Sequence, residues 1–255
     1  EGYTKDKPFL VVSDAFPAGY LPLPSIPSAY YKTEKDTNPS ERKEMKKRQW
    51  LKKGDFSQPL TEWLTIGQKQ PFEKKSKTQA HNTINRLTGT TGTGEFAPFV
   101  QPQIWLEAEA ELDIYMVLDE SLLSFDDLKQ ALQDIGDFGF GRDASIGLGK
   151  FTISKTASDW AIPERMDKAN AWITLAPCAP QGQAWNSTQC YYKPFTRFGR
   201  HGDIAANYKN PFKKPVLLVD TAAILTPKDF KHNAFFCGQG ISGISNADAI
   251  PTTVH

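Results

Sequence analysis

The sequence predicts an α+β fold in which short antiparallel strands outnumber helices. Three observations carry this reading. One stretch, 124–135, has the apolar spacing and the end signals of a helix. Strand-like runs and a glycine loop flank it in the order β-α-β, a piece of a ferredoxin-like unit. Beyond it, every candidate element is a short strand bounded by Pro/Gly turns. The 255 residues allow one large domain or two of ordinary size, and 39% apolar with 12% aromatic content supports a core.

Residues 8–14 (P-F-L-V-V-S-D) begin as a strand. The next stretch, 15–27, holds four prolines, which remove donors and fix φ; with Phe16, Tyr20 and Leu21 it reads as an ordered apolar arm. Pro39-Ser40 can start a basic helix from Glu41 to about Lys53, closed by Gly54, with Met45, Trp50 and Leu51 forming no stripe. Residues 67–80 are polar and Lys-rich and read as a loop, and the block 81–94 as a turn-rich run of donors and acceptors. Residues 104–118 alternate well enough for one long strand or a hairpin, with Trp105 in its core face. In the 124–135 helix Ser124 is the expected N-cap, Asp126 and Asp127 suit the first turn, and Gly136 is the expected stop. Phe125, Leu128, Leu132 and Ile135 form the face that should pack on a sheet. Strands are expected at 151–154, 171–176, 191–198, 216–219 and 222–225.

The chain is organised around 138–151, F-G-F-G-R-D-A-S-I-G-L-G-K-F. Gly139, Gly141, Gly147 and Gly149 fall within eleven residues, with Arg142 and Lys150 among them. Successive backbone N–H groups in such a run can cradle an anion, and a plain glycine hairpin fits the composition equally well. The P-loop pattern fails, because Phe151 stands where Ser or Thr is needed. The dinucleotide pattern fits Gly139, Gly141 and Ala144, and again Gly238, Gly240 and Gly243, but neither match opens a helix. No nucleotide cofactor is expected.

Net charge is only +1, yet it is unevenly spread. Residues 41–53 hold seven Lys/Arg against two Glu, and 193–231 eight against three Asp. Residues 105–137 hold ten Asp/Glu against one Lys. That pattern suits a polyanion on one side and a different partner on the other. Cys178, Cys190 and Cys237 are odd in number and widely spaced, which argues against a disulfide framework and offers no metal pair. No metal and no cofactor is expected. No run of 18 apolar residues and no signal peptide is visible, so no membrane contact and a cytoplasmic location are expected.

Three blocks resemble a known family. H-N-T-I-N-R-L-T-G-T-T (81–91), G-F-G-R-D-A-S-I-G-L-G-K-F (139–151) and C-G-Q-G-I-S-G (237–243) occur in the same order in subunit four of the type III-A (Csm) CRISPR effector complex, a member of the RAMP superfamily. The opening S-D-A-F-P-A-G-Y-L-P-L-P (13–24) and closing A-I-P-T-T-V-H (249–255) are similar to the same family. The resemblance implies two ferredoxin-like, RRM-related domains with antiparallel sheets and glycine-rich loops. They would span 1–155, carrying a basic insertion at 32–80, and 156–255. The family's opening strand and first helix would be missing from this sequence, which would also stop soon after the last glycine turn.

It further implies a non-catalytic subunit in antiviral defence that caps one end of the complex and holds the 5′ handle of the crRNA. Its neighbours would be the large polymerase/cyclase subunit and a backbone RAMP subunit. The expected RNA-binding residues are His81, Asn82, Asn85, Arg86, Gly139, Gly141, Arg142, Ser145, Gly147, Gly149, Lys150, Arg197, Arg200, Gly238 and Gly240. For several of these a structural role competes: Arg142 can pair with Asp143, and Asn82 and Asn85 can tie down their own turn. The enzymatic alternative is a RAMP-type, metal-independent endoribonuclease with His81 as general acid or base and His201 as second candidate. Neither histidine has a visible acid–base partner in sequence.

Overall fold

Six two-stranded antiparallel ribbons, with no larger sheet among the described residues, make up the β structure. A computed structural model of the chain describes residues 7–31, 39–141, 143–154, 169–180, 184–201, 210–231 and 236–246. In chain order the strands and helices are β1 (Leu10–Val12), β2 (Phe16–Pro17), β3 (Tyr20–Pro22), α1 (Pro39–Lys46), β4 (Trp50–Lys52) and α2 (Trp63–Ile66). Then come β5 (Lys74–His81), β6 (Phe99–Leu106), β7 (Leu112–Asp113), β8 (Met116–Leu118) and α3 (Phe125–Phe138). The second half contributes β9 (Trp172–Ile173), β10 (Pro194–Arg197), β11 (Val216–Val219) and β12 (Ile224–Leu225). The fold is α+β, with small antiparallel sheets and few helices.

The pairings are β1 with β8, β2 with β7, β3 with β4, β5 with β6, β9 with β12, and β10 with β11. Prolines explain why the first ribbons are short: Pro17 and Pro22 end β2 and β3, since neither can donate to a ladder. One core cluster lies under this arm. Tyr31, Leu51 and Trp63 are buried there, with Leu23, Phe56, Leu64 and Ile173 packed against them. Burial pushes the Tyr31 hydroxyl up to about 12. A second cluster, Val219, Ala223 and Leu225, packs against Trp185, Cys178 and Cys237. The two halves are stitched together by backbone bonds from Asp14 N to Leu175 O (2.8 Å) and Ser25 N to Ala222 O (2.7 Å).

Several expected elements change. The basic helix stops at Lys46, because Leu51 is fully buried and reaches the core only as part of β4, paired with β3. The run 67–80 is not all loop: Lys74 to His81 forms a full strand, opposite Phe99 to Leu106. The run 104–118 is neither one strand nor a hairpin. It breaks at a turn closed by Ala110 N to Glu107 O (3.1 Å), and its later pieces pair with β2 and β1 instead. No strand forms at 151–154, and those expected at 171–176, 191–198 and 222–225 shrink to β9, β10 and β12.

α3 starts as expected. Ser124 Oγ accepts from Asp127 N (3.1 Å), satisfying one of the free N-terminal donors. It does not stop at Gly136, which lies buried inside the helix where a Cβ would strike the Phe151 carbonyl. The helix ends three residues later, at Gly139. Its apolar face is only partly covered: Leu128 is buried, while Phe125 and Ile135 remain exposed.

Asp113 joins two ribbons. Its Oδ2 accepts from Gly19 N (2.9 Å) in the β2–β3 turn and from Lys53 Nζ (3.1 Å) just after β4. Lys53 Nζ also lies 5.3 Å from the centre of the Tyr115 ring. Burial alone would raise the Asp113 carboxyl, but the Gly19 amide and the Lys53 ammonium outweigh it and hold it below the usual carboxylate range. A depressed folded-state value stabilises the fold above the unfolded value and ceases to do so as pH falls through the folded one. Asp113→Asn should therefore lower stability by about 1–2 kcal/mol at neutral pH. The gap to wild type should close on acidification, read as melting temperature across a pH series. A gap that stays constant into strong acid would exclude the charge as its source.

Candidate nucleic-acid interface

The loop after α3 is closed by backbone alone. Gly139 N donates to Ile135 O (2.7 Å), Phe140 N to Gly149 O (2.8 Å), and Phe151 N to Gly136 O (3.3 Å). A Cβ on Gly139 (φ 107°) would run into the Leu148 carbonyl, and one on Gly149 (φ 72°) into that of Phe140. Both approaches are closer than any real Cβ makes, so these two glycines are required by space as well as by φ. Gly141 and Gly147 also have positive φ but face nothing within 4 Å. Close approach of another chain segment therefore does not explain Gly147. Ser145 and Lys150 are exposed at the loop surface, beside exposed Phe138, Phe140 and Ile146. Arg142 lies outside the described residues.

One side-chain bond fastens this loop to the β5–β6 ribbon: Gln101 Nε2, buried, donates to Asp143 Oδ2 (2.8 Å). Strand alternation then fixes what shares the Gln101 face. Lys75, Lys77, Gln79 and His81 stand opposite Trp105, Gln103, Gln101 and Phe99. Lys77 Nζ sits 5.4 Å from the centre of the Trp105 ring. Trp105 is 47% exposed, so it is a surface platform where the sequence pointed to core. His81 stacks on Phe99 (5.2 Å between centroids, 13° between planes). Its Nε2 is buried and has no hydrogen-bond partner among the described residues. The other face presents Val100, Ile104 and Leu106 to solvent.

Beyond β5 the chain makes a tight turn. Asn85 N donates to Thr90 O (3.0 Å), Gly89 N to Asn85 O (2.8 Å), and Leu87 N to Asn85 Oδ1 (2.9 Å). Asn85 is thus committed to its own turn, while Asn82 and Arg86 are exposed. In the basic segment two cations also have structural work. The Arg48 guanidinium donates to the carbonyls of Leu64 and Thr65 near the end of α2, and Lys53 holds Asp113. Glu44, drawn down to about 2 by Lys47 and Lys69, ties two more.

The pairing of cation and ring recurs on β10 and at the isolated bridge between Arg200 and Phe212 just beyond it. Arg197 lies over Phe195 (5.8 Å) and Arg200 over Phe212 (5.7 Å), with Phe198 exposed beside them. Below the β10–β11 ribbon opens a cavity of about 280 Å³, with an apolar wall from Leu10, Val216 and Ile244 and a cationic edge of Arg197, Lys213 and Lys214. Burial lowers the Lys213 ammonium. Gly238 and Gly240 line the same cavity, and a Cβ on Gly238 would stand 2.5 Å from Ala179 O.

The expected site residues thus fall into two clusters. The loop glycines join the His81 ribbon through Asp143 and Gln101, while Arg197, Gly238 and Gly240 surround the cavity. Sequence reasoning missed Lys75, Lys77 and Trp105. The run K-K-S-K-T-Q-A-H carries no alternation of apolar and polar residues, so the usual strand signal is missing from it. No protein-family model matches the chain, and no curated protein does either.

The loop geometry separates two glycines by experiment. Gly149→Ala, which combines positive φ with a backbone clash, should cost at least about 2 kcal/mol of stability. Gly147→Asn, in open space and with a residue that tolerates the left-handed region, should cost less than about 1 kcal/mol. Equal losses in denaturant melts would refute this account of the loop.

Proposed function

We propose that this chain is a non-catalytic RNA-binding subunit of a type III-A CRISPR (Csm) interference complex, acting in antiviral defence. It holds the 5′ handle of the crRNA and bridges the large polymerase/cyclase subunit to the backbone RAMP subunits. In this reading it consists of two ferredoxin-like RAMP domains meeting near residue 155, and it works in the cytoplasm. Among the described residues no helix is long and apolar enough to cross a membrane.

The observation that carries the reading is the recurrence of cation-over-ring pairs: Lys77 with exposed Trp105 on β5–β6, Arg197 with half-buried Phe195 on β10, and Arg200 with exposed Phe212 at the bridge beyond it. Single-stranded RNA is held by just this pairing, with rings stacking bases and cations following phosphates. The order of the sequence blocks 81–91, 139–151 and 237–243 supports the particular family. Exposed apolar positions such as Val100, Ile104 and Leu217 support a chain that meets protein neighbours as well.

The second reading, a metal-independent endoribonuclease, draws on the unpartnered Nε2 of His81. That atom is buried against Phe99, and among the described residues no acid–base partner bonds to it. The RNA-holding role is therefore preferred.

Binding of a handle-bearing crRNA, followed by fluorescence anisotropy, should weaken steeply with salt, because each phosphate contact releases counterions. Trp105→Ala should weaken binding by about 1–3 kcal/mol at fixed salt. Arg197→Ala should flatten the salt slope by about one contact. Affinity that does not change with salt would contradict RNA holding. Multiple-turnover cleavage that His81→Ala abolishes would instead establish the nuclease.

A further inference from the structure

Cys178 and Cys237 lie 59 positions apart in sequence, yet they line the same cavity and pack against the same core cluster. The backbones run in contact one residue further on, where Ala179 O fills the space a Cβ on Gly238 would need. Cys178 is anchored by reciprocal backbone bonds with Val219 (2.9 and 2.8 Å), so one partner of the pair sits on a fixed strand edge. The third thiol is engaged elsewhere: Cys190 Sγ accepts from Thr226 N (3.3 Å). A disulfide needs Cα atoms within about 7 Å, a condition that backbones in van der Waals contact one residue away readily meet.

We propose that Cys178 and Cys237 are a modification site: hydrogen peroxide joins them in a reversible disulfide that staples segment 236–246 to the strand edge at Val219. This inference is independent of any RNA-binding role. Cys178 is the attacking sulfur: its thiol lies below the usual range through the neighbouring Cys237, whereas Cys178 and burial push the Cys237 thiol up. The Cys178 thiolate attacks one peroxide oxygen, the O–O bond breaks, and hydroxide leaves, giving a sulfenic acid. Cys237 sulfur then attacks Cys178 sulfur. The S–O bond breaks, and the proton lost from Cys237 leaves with the hydroxyl as water. The two sulfurs together lose two electrons and two protons, and peroxide is reduced to two waters. The cavity admits a molecule of that size to the shared face of the two thiols.

The reduced, desalted chain is exposed to hydrogen peroxide under native conditions, quenched with catalase, alkylated in denaturant and analysed by intact mass and peptide mapping. Titratable thiols should fall from three to one. Before alkylation the mass should drop by two hydrogens, after it the chain should carry one alkyl group in place of three, the crosslinked peptide should join Cys178 to Cys237, and dithiothreitol should restore all three thiols. Cys190→Ala should give the same crosslink and no remaining thiol. The proposal is overturned if three thiols persist, if the bridge involves Cys190 or a second chain, or if sulfinic acid accumulates in place of a disulfide. Wild-type mapping decides among these outcomes even if a cysteine variant fails to fold.

Discussion

The loop after α3 holds its shape through two backbone contacts that no side chain could share. The carbonyls of Leu148 and Phe140 occupy the space where Gly139 and Gly149 would carry a Cβ. Closing the loop in this way caps α3, returns the chain to Phe151, and presents Asp143 to Gln101. Gln101 is the buried residue of β6, so the loop's backbone geometry helps fix which way the β5–β6 ribbon faces. A steric constraint at two glycines thereby reaches Lys77 and Trp105 several residues along the ribbon. The cost of disturbing it is a backbone clash, which cannot relax as a flexible side chain can.

The cations of this chain divide by their partners. Arg48 caps carbonyls at the end of α2, Lys53 closes the Asp113 junction, and Lys47 and Lys69 surround Glu44. Lys77, Arg197 and Arg200 each lie over an aromatic ring. For Lys77 and Arg197 the ring holds the cation without neutralising it, while the ring itself offers a stacking face. A raw count of Lys and Arg therefore points first to segment 41–53, whereas the side-chain partners move attention to the two ribbons.

Legibility in the sequence followed locality. Ser124 and the two aspartates after it announce the start of α3 because capping is decided within one turn. Gly136 misled as a stop because its real role, yielding space to Phe151, is set by a residue fifteen positions away. β5 was hidden for a related reason: a ribbon open on both faces needs no alternation of apolar and polar residues. Leu51 drew the chain out of a helical pattern to fill the core, an effect of tertiary burial over local propensity. The loop glycines were recognisable as a group, but which of them are sterically required depended on carbonyls the sequence does not locate.

The proposed function requires RNA to meet the two ribbons and the loop, and not the acidic helix. The direct measurement is ultraviolet crosslinking of a handle-bearing crRNA to the chain, co-expressed with the subunits of the proposed complex, mapped to residues by mass spectrometry. The account predicts crosslinks at Trp105 and at Phe195, Phe198 or Phe212, with none on the acidic residues Asp126, Asp127 and Asp134 of α3. Crosslinks concentrated on α3, or their absence from both ribbons while the RNA is bound to the complex, would contradict it.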